Sequence, residues 1–173
     1  PIQAKSLPFS LAGRDVMGCA QTGTGKTAAF VLPMMKMLLE DNNAMALVLA
    51  PTRELAEQIV DTLRKLRTED LSYTLLIGGS SFTEQVRSLR RRPRIIVATP
   101  GRLVDHIQQR TIDLRKVKFF VLDEADRMFD MGFAPQIQKV TAQISEERQT
   151  LLFSATFSKE VKQLALNSMN DPE

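Results

Sequence analysis

Six short apolar runs, at residues 16–20, 44–50, 73–77, 94–98, 119–123 and 150–154, alternate with longer stretches whose apolar residues recur at helical spacing. A parallel strand pair needs a crossover of a dozen or more residues, usually a helix, so this alternation predicts an α/β fold: a mainly parallel sheet with helices on both faces. Several runs are apolar at consecutive positions, as in Phe119-Phe120-Val121-Leu122, which suits strands covered on both sides. Between the runs, Leu55, Ile59, Leu63 and Leu66 form one helical stripe, and Ile137, Val140 and Ile144 form another. With 173 residues, 43% of them hydrophobic, the chain can build one compact domain and is no disordered tail. Ligands of such sheets lie beyond the carboxyl ends of the strands, so the chemistry is sought in the residues that follow each run.

The first run leads into residues 19–27, Cys-Ala-Gln-Thr-Gly-Thr-Gly-Lys-Thr, and then into the apolar stretch from Ala28 onward. A loop between a strand and a helix is what phosphate binding requires. Gly23 and Gly25 let the backbone come close to a ligand, and successive N–H groups of Ala20, Gln21, Thr22, Gly23, Thr24 and Gly25 can converge on phosphate oxygens at the positive helix end. Lys26 would reach the β- and γ-phosphates, and the Thr27 hydroxyl would hold Mg²⁺. Ala20 departs from the pattern G-x-x-x-x-G-K-[ST], where a first glycine is expected. The alternative is a glycine-containing turn with an incidental Lys-Thr.

The ends of the other runs are also polar and specific. They read Pro51-Thr52-Arg53-Glu54-Leu55-Ala56, Gly78-Gly79, Thr99-Pro100-Gly101-Arg102, Asp123-Glu124-Ala125-Asp126 and Ser154-Ala155-Thr156. Asp123 puts a carboxylate at a strand tip, where P-loop NTPases hold Mg²⁺. Glu124 is placed to polarise the water that attacks the γ-phosphate; alternatively the acidic residues only complement the start of the next helix. Thr99 followed by Pro100 reads as a capped helix start, whose outward N–H groups suit a phosphate, with Arg102 adding charge. Thr52 caps the next such helix while Arg53 projects. Contacts of this kind hold a nucleic-acid backbone without reading its sequence.

Together these residues resemble the first RecA-like lobe of the DEAD-box RNA helicases, over essentially the whole chain. Gln3 stands in a Q-motif, residues 20–27 in motif I with that family's own alanine, and residues 51–56 in motif Ia. Gly78-Gly79, residues 99–102 as motif Ib, residues 123–126 as motif II and residues 154–156 as motif III complete the series. The resemblance implies a RecA-like P-loop NTPase domain over residues 1–173 that uses ATP and Mg²⁺. Gln3 would recognise adenine, Lys26 and Thr27 would bind phosphate and Mg²⁺, Asp123 would hold Mg²⁺ through water, and Glu124 would be the catalytic base. Asp126 would pair with Ser154 and Thr156, linking nucleotide state to lobe movement, while Arg53, Gly79, Thr99 and Arg102 would face the RNA backbone. A second RecA-like lobe is implied as partner, so the fragment alone should bind nucleotide yet be nearly inactive.

The remaining features bound the reading. A net charge of +3 does not by itself argue for nucleic acid, one cysteine excludes an internal disulfide framework, and no apolar run is long enough to span a membrane. A reduced, soluble, cytoplasmic and monomeric protein is expected, and both ends read as cuts in a longer chain. Arg90-Arg91-Arg92-Pro93-Arg94 reads as a solvated loop, His106 as structural or exposed, and Cys19 as a small buried residue. Met34, Met35 and Met37 read as core filler, on a helix that Pro33 should kink or interrupt. Two rivals remain: a different P-loop enzyme such as a small-molecule kinase, and a non-catalytic RNA-binding or scaffolding module that retains the fold.

Overall fold

The structure, a computed structural model, describes residues 2–21, 25–66 and 70–173. Among them run β1 (Val16–Cys19), β2 (Met45–Leu49), β3 (Tyr73–Leu76), β4 (Ile95–Ala98), β5 (Val117–Leu122) and β6 (Gln149–Ser154). All pair in parallel in one sheet of order β1-β6-β5-β2-β4-β3. The helices are α1 (Ile2–Leu11), α2 (Lys26–Glu40), α3 (Arg53–Leu66), α4 (Phe82–Arg90), α5 (Pro100–Gln108), α6 (Ala125–Asp130), α7 (Ala134–Thr141) and α8 (Lys159–Ser168).

Strand side chains alternate between two cores. On one face Ala46, Val48, Val97, Phe119, Val121 and Phe153 meet Phe30, Met34 and Leu38 of α2 and Ile59 and Leu63 of α3. On the other, Leu47, Leu49, Ile96, Phe120, Leu122 and Leu152 meet α5, α7 and α8 through Leu103, Ile137, Val140 and Val161. Because both faces are covered, β2, β4 and residues 119–122 of β5 are apolar at consecutive positions, as expected.

Details of the helices depart from the sequence reading. α2 runs unbroken through Pro33, because buried Ala29, Phe30, Met34 and Leu38 hold it to the sheet against the loss of one backbone bond. Leu66 at the end of the α3 stripe is exposed, and Ile144 lies beyond α7 although it is buried. Nothing in the sequence flagged α1, which packs on α2 and carries Gln3.

Candidate functional site

At the carboxyl edge, backbone bonds extend the ladders past the strands. The N–H of Ala20 donates to Ser154 O (3.1 Å), that of Asp123 to Leu49 O (3.0 Å), that of Ala50 to Ala98 O (3.0 Å) and that of Thr99 to Leu76 O (3.1 Å). The residues following the strands therefore stand in a fixed row. The loops after β1, β6 and β5 share one half of the edge, and those after β2, β4 and β3 share the other.

On the first half, α2 starts at Lys26 from Gly25, whose φ of 76° is left-handed. Gln3 of α1 donates from Nε2 to Gly25 O at 3.0 Å, and a Cβ on residue 25 would lie 2.6 Å from that nitrogen, so a side chain there would strain the left-handed backbone and displace Gln3. Lys26 Nζ lies 3.0 Å from Asp123 Oδ1 and 3.9 Å from Glu124 Oε2, with side-chain exposures of 4%, 0% and 12% for the three residues. Burial pushes the Asp123 carboxyl above its usual range, and the Lys26 charge opposes the rise. By strict hydrogen-bond geometry, Lys26 Nζ and the two Asp123 oxygens have no partner among the described residues. Glu124 turns out of β5 in a left-handed conformation (φ 52°, ψ 55°), a strain of order 1–3 kcal/mol, and Arg127 Nη1 stands 3.7 Å from its Oε1. Ala20 is buried, Gln21 exposed and Thr27 half-buried on the first turn of α2; Thr22, Gly23 and Thr24 lie outside the described residues.

The segment after β6 locks onto α6. Ser154 Oγ accepts from Asp126 N at 3.2 Å and donates to Thr156 O at 2.6 Å, while Thr156 Oγ1 donates to Asp126 Oδ2 at 3.2 Å. Asp126 is thus paired with residues 154–156 through two bonds, and a third, from Ser154 to Thr156, closes the segment on itself.

On the second half, Thr52 caps α3 by accepting from Leu55 N at 3.2 Å, and Arg53 projects from the first turn, pairing with Glu57 at 3.2 Å. Gly79 is left-handed (φ 78°), and a Cβ there would lie 3.0 Å from Arg53 Nη1. Arg102 Nη2 donates to Ser80 O at 3.2 Å, and its guanidinium stands 5.5 Å from the Phe82 ring centroid. Arg53 and Arg102 therefore flank the loop that carries Gly79. Thr99 is the N-cap of α5 with Pro100 behind it, but its hydroxyl makes no capping bond, contrary to expectation. Its backbone does the anchoring: the N–H donates into the β3 ladder and the carbonyl accepts from Leu103.

Under this loop lies a buried network. His106, fully buried, bonds Gln85 Oε1 through Nε2 (2.8 Å) and Thr111 Oγ1 through Nδ1 (2.7 Å), and stacks on Phe82 at 4.1 Å. Gln85 Nε2 donates to Ile77 O, just before Gly78, at 2.8 Å. Since Gln85 presents a carbonyl to Nε2, that nitrogen carries a proton. Burial, helped by the nearby Arg102 and opposed by Asp105, lowers its pKa from 6.5 to about 4.

The DEAD/DEAH box helicase family model matches residues 1–164. The chain belongs to that family. It is 49% identical over its full length to the ATP-dependent RNA helicase CshA of Listeria monocytogenes, covering 34% of that protein. It is 48% identical over its full length to the DEAD-box ATP-dependent RNA helicase CshA of Bacillus subtilis, covering 35% of it. To the probable ATP-dependent RNA helicase ddx17 of Dictyostelium discoideum it is 49% identical over 99% of its length, covering 23% of that protein. The chain thus spans about a quarter to a third of these relatives. The crystal structure of a hypothetical ATP-dependent RNA helicase from Sulfolobus tokodaii superposes with a TM-score of 0.91 at 36% identity, over 99% of this chain and 50% of that one. The fold of this DEAD-box family member is accordingly RecA-like.

Other residues of the helicase-family chain sit differently from expectation. Cys19 is exposed, its Sγ 3.6 Å from Ala155 O, at the carboxyl end of edge strand β1, where the second core no longer covers it. Arg90, Arg91 and Arg92 are exposed as expected, but Arg94 is not a solvated residue: its guanidinium donates to the carbonyls of Leu38, Asp41 and Ala44, tying the end of α2 to β4. Met34 is fully buried, and Met35 and Met37 pack against the same core. Sequence reasoning missed Gln85, Phe82 and Arg127 beside the site. A glutamine seven residues after Gly78 carries no local signal of the histidine it meets. Among the described residues no group of three or more His, Cys, Asp or Glu could by itself hold a metal, and no helix is long and apolar enough to cross a membrane.

Proposed function

We propose that the chain is the amino-terminal, ATP-binding lobe of an ATP-dependent RNA helicase, which couples ATP hydrolysis to RNA binding and local strand separation together with a second RecA-like lobe. The observation that carries this reading is the buried Lys26–Asp123 pair at the start of α2, whose Nζ and Oδ1 face each other at 3.0 Å with side chains 4% and 0% exposed. Buried charges left in this state suit a site built to exchange one another for a ligand's charges. Lys26 would leave Asp123 for the β- and γ-phosphates, and the N–H groups at the start of α2 would face the same oxygens. Mg²⁺, held by Thr27 and through water by Asp123, would neutralise charge on the transferring phosphoryl group; the buried carboxyl of Asp123, raised above its usual range, suits a cation beside it. Glu124, largely shielded from solvent, would accept the proton of the attacking water.

Gln3, held against Gly25, would read the donor and acceptor of the adenine edge. Asp126, Ser154 and Thr156 would pass changes at Asp123 and Glu124 to the second lobe. Arg53, Gly79, Thr99 and Arg102 would track the RNA sugar-phosphate backbone, with no base contacts.

Titration with a fluorescent ADP or ATP analogue, with and without Mg²⁺, tests the reading. Binding should require Mg²⁺ and weaken markedly in Lys26→Ala, and ATP should compete better than GTP. Equal affinity of Lys26→Ala and the parent chain would refute the phosphate-loop assignment.

A further inference from the structure

The edge of the sheet opposite the nucleotide carries a groove that this function leaves unused. Residues 42–44 before β2, 92–94 before β4 and 111–113, 115 and 116 before β5 close around a cavity of about 590 Å³. This lies within the range of sites that bind small ligands or side chains, about 300–1,000 Å³. Its floor is apolar: Met45, Leu89 and Ile112 are each half-buried and continuous with the second core. Its rim is cationic, from Arg92, Arg115 and Lys116, all exposed. Arg115 is committed to Asp113 at 2.7 Å, but Arg92 and Lys116, with Arg90 and Arg91 beside them, make no ion pair among the described residues. Arg94, the remaining cation of the lining among the described residues, spends its guanidinium on three backbone carbonyls that hold the loops together. Arg92 is also left-handed (φ 55°), a conformation that an arginine adopts only at a cost.

Two anionic occupants could suit such a rim, and the floor separates them. A single nucleic-acid strand gains its affinity from phosphates plus bases stacked on aromatic rings. Among the described residues no aromatic lines this cavity, and an apolar floor offers a phosphate nothing. A peptide with one aliphatic side chain between acidic residues satisfies both parts: the anchor fills the floor as in other desolvated interface pockets, and the acids meet Arg92 and Lys116. We propose that this groove docks an acidic segment of a partner protein through one aliphatic anchor residue. Because the groove opens at the amino ends of β2, β4 and β5, its occupant leaves the carboxyl edge uncovered.

The test is selection of a random peptide library displayed on phage against the chain, followed by fluorescence anisotropy with the enriched peptides as synthetic, labelled probes. Enriched sequences should share an aliphatic residue flanked by Asp or Glu, and replacing the aliphatic residue by Ser should weaken binding about tenfold. Arg92→Glu/Lys116→Glu should weaken it by at least that factor while affinity for the fluorescent nucleotide stays unchanged. Arg92→Gly is the second variant: it removes the charge while relieving the left-handed backbone, so lost peptide binding cannot be blamed on misfolding. The proposal is overturned if no such family is enriched, if its peptides bind both variants as tightly as the parent, or if poly(U) RNA displaces them from the groove.

Discussion

His106 allows a quantitative prediction. It is fully buried and neutral, with a pKa lowered to about 4 against 6.5 in the unfolded chain. A base with a depressed folded pKa binds its proton more tightly when unfolded, so its contribution to stability is intact above the unfolded value and is lost as pH falls through 6.5 toward 4. At 1.36 kcal/mol per unit the full difference is about 3 kcal/mol, of which about 2 kcal/mol is gone by about pH 5. Protonation would also set an imidazolium beside Arg102, both under the loop that carries Gly79. His106→Gln keeps a donor toward Gln85 Oε1 but cannot titrate. It should be less stable than the parent at about pH 7.5, by roughly 1–3 kcal/mol from the lost stacking on Phe82 and imperfect pairing, yet be spared this acid sensitivity. Urea unfolding followed by circular dichroism at both pH values gives the difference of differences, expected to be about 2 kcal/mol in favour of the variant. Equal losses in parent and variant would show that His106 is not the neutral buried group described, and the reasoning would fail.

Four further outcomes are expected. Gly25→Ala should destabilise the fold by about 1 kcal/mol or more and weaken nucleotide binding, since the new methyl strains a left-handed residue and displaces Gln3; thermal melts and fluorescent-nucleotide titration measure the two effects. Arg53→Ala and Arg102→Ala should each lower affinity for single-stranded RNA uniformly across sequences and reduce the salt dependence of binding by about one unit of slope, read by anisotropy at graded salt; a change confined to one RNA sequence would contradict backbone contact. The chain alone should turn over ATP very slowly, because an arginine acting on the γ-phosphate, worth roughly 10³–10⁵ in rate, would come from the second lobe. In the longer protein Glu124→Gln should abolish phosphate release while sparing ATP binding, and full RNA-stimulated turnover by the chain alone would refute the split site.

Strand positions, the polar ends of the strands and the glycines around Lys26 were all readable from the chain, because each depends on a few consecutive residues. Phe119 to Leu122 must be buried on both faces to be apolar throughout, and that places the sheet's centre. Arg94, His106 and Pro33 were misread or left open for one reason. Whether an arginine is solvated, a histidine charged or a proline tolerated depends on partners far along the chain: Leu38 for Arg94, Gln85 for His106, the packed sheet for Pro33.

The sequence by itself determined which residues stand at strand ends and what chemistry each could perform. It did not determine their neighbours. The chain meets its loops after β1, β2, β3, β4, β5 and β6 in that order, whereas the edge of the sheet presents them as β1, β6, β5, β2, β4, β3. Only that reordering brings Asp123 to 3.0 Å from Lys26 and Thr156 to 3.2 Å from Asp126, and gathers Arg53, Gly79 and Arg102 on the other half. The reason is physical. Hydrophobic periodicity reports how each strand is buried but carries no information on which strand lies beside it. The strand order emerges when all six strands and their helices bury two cores at once.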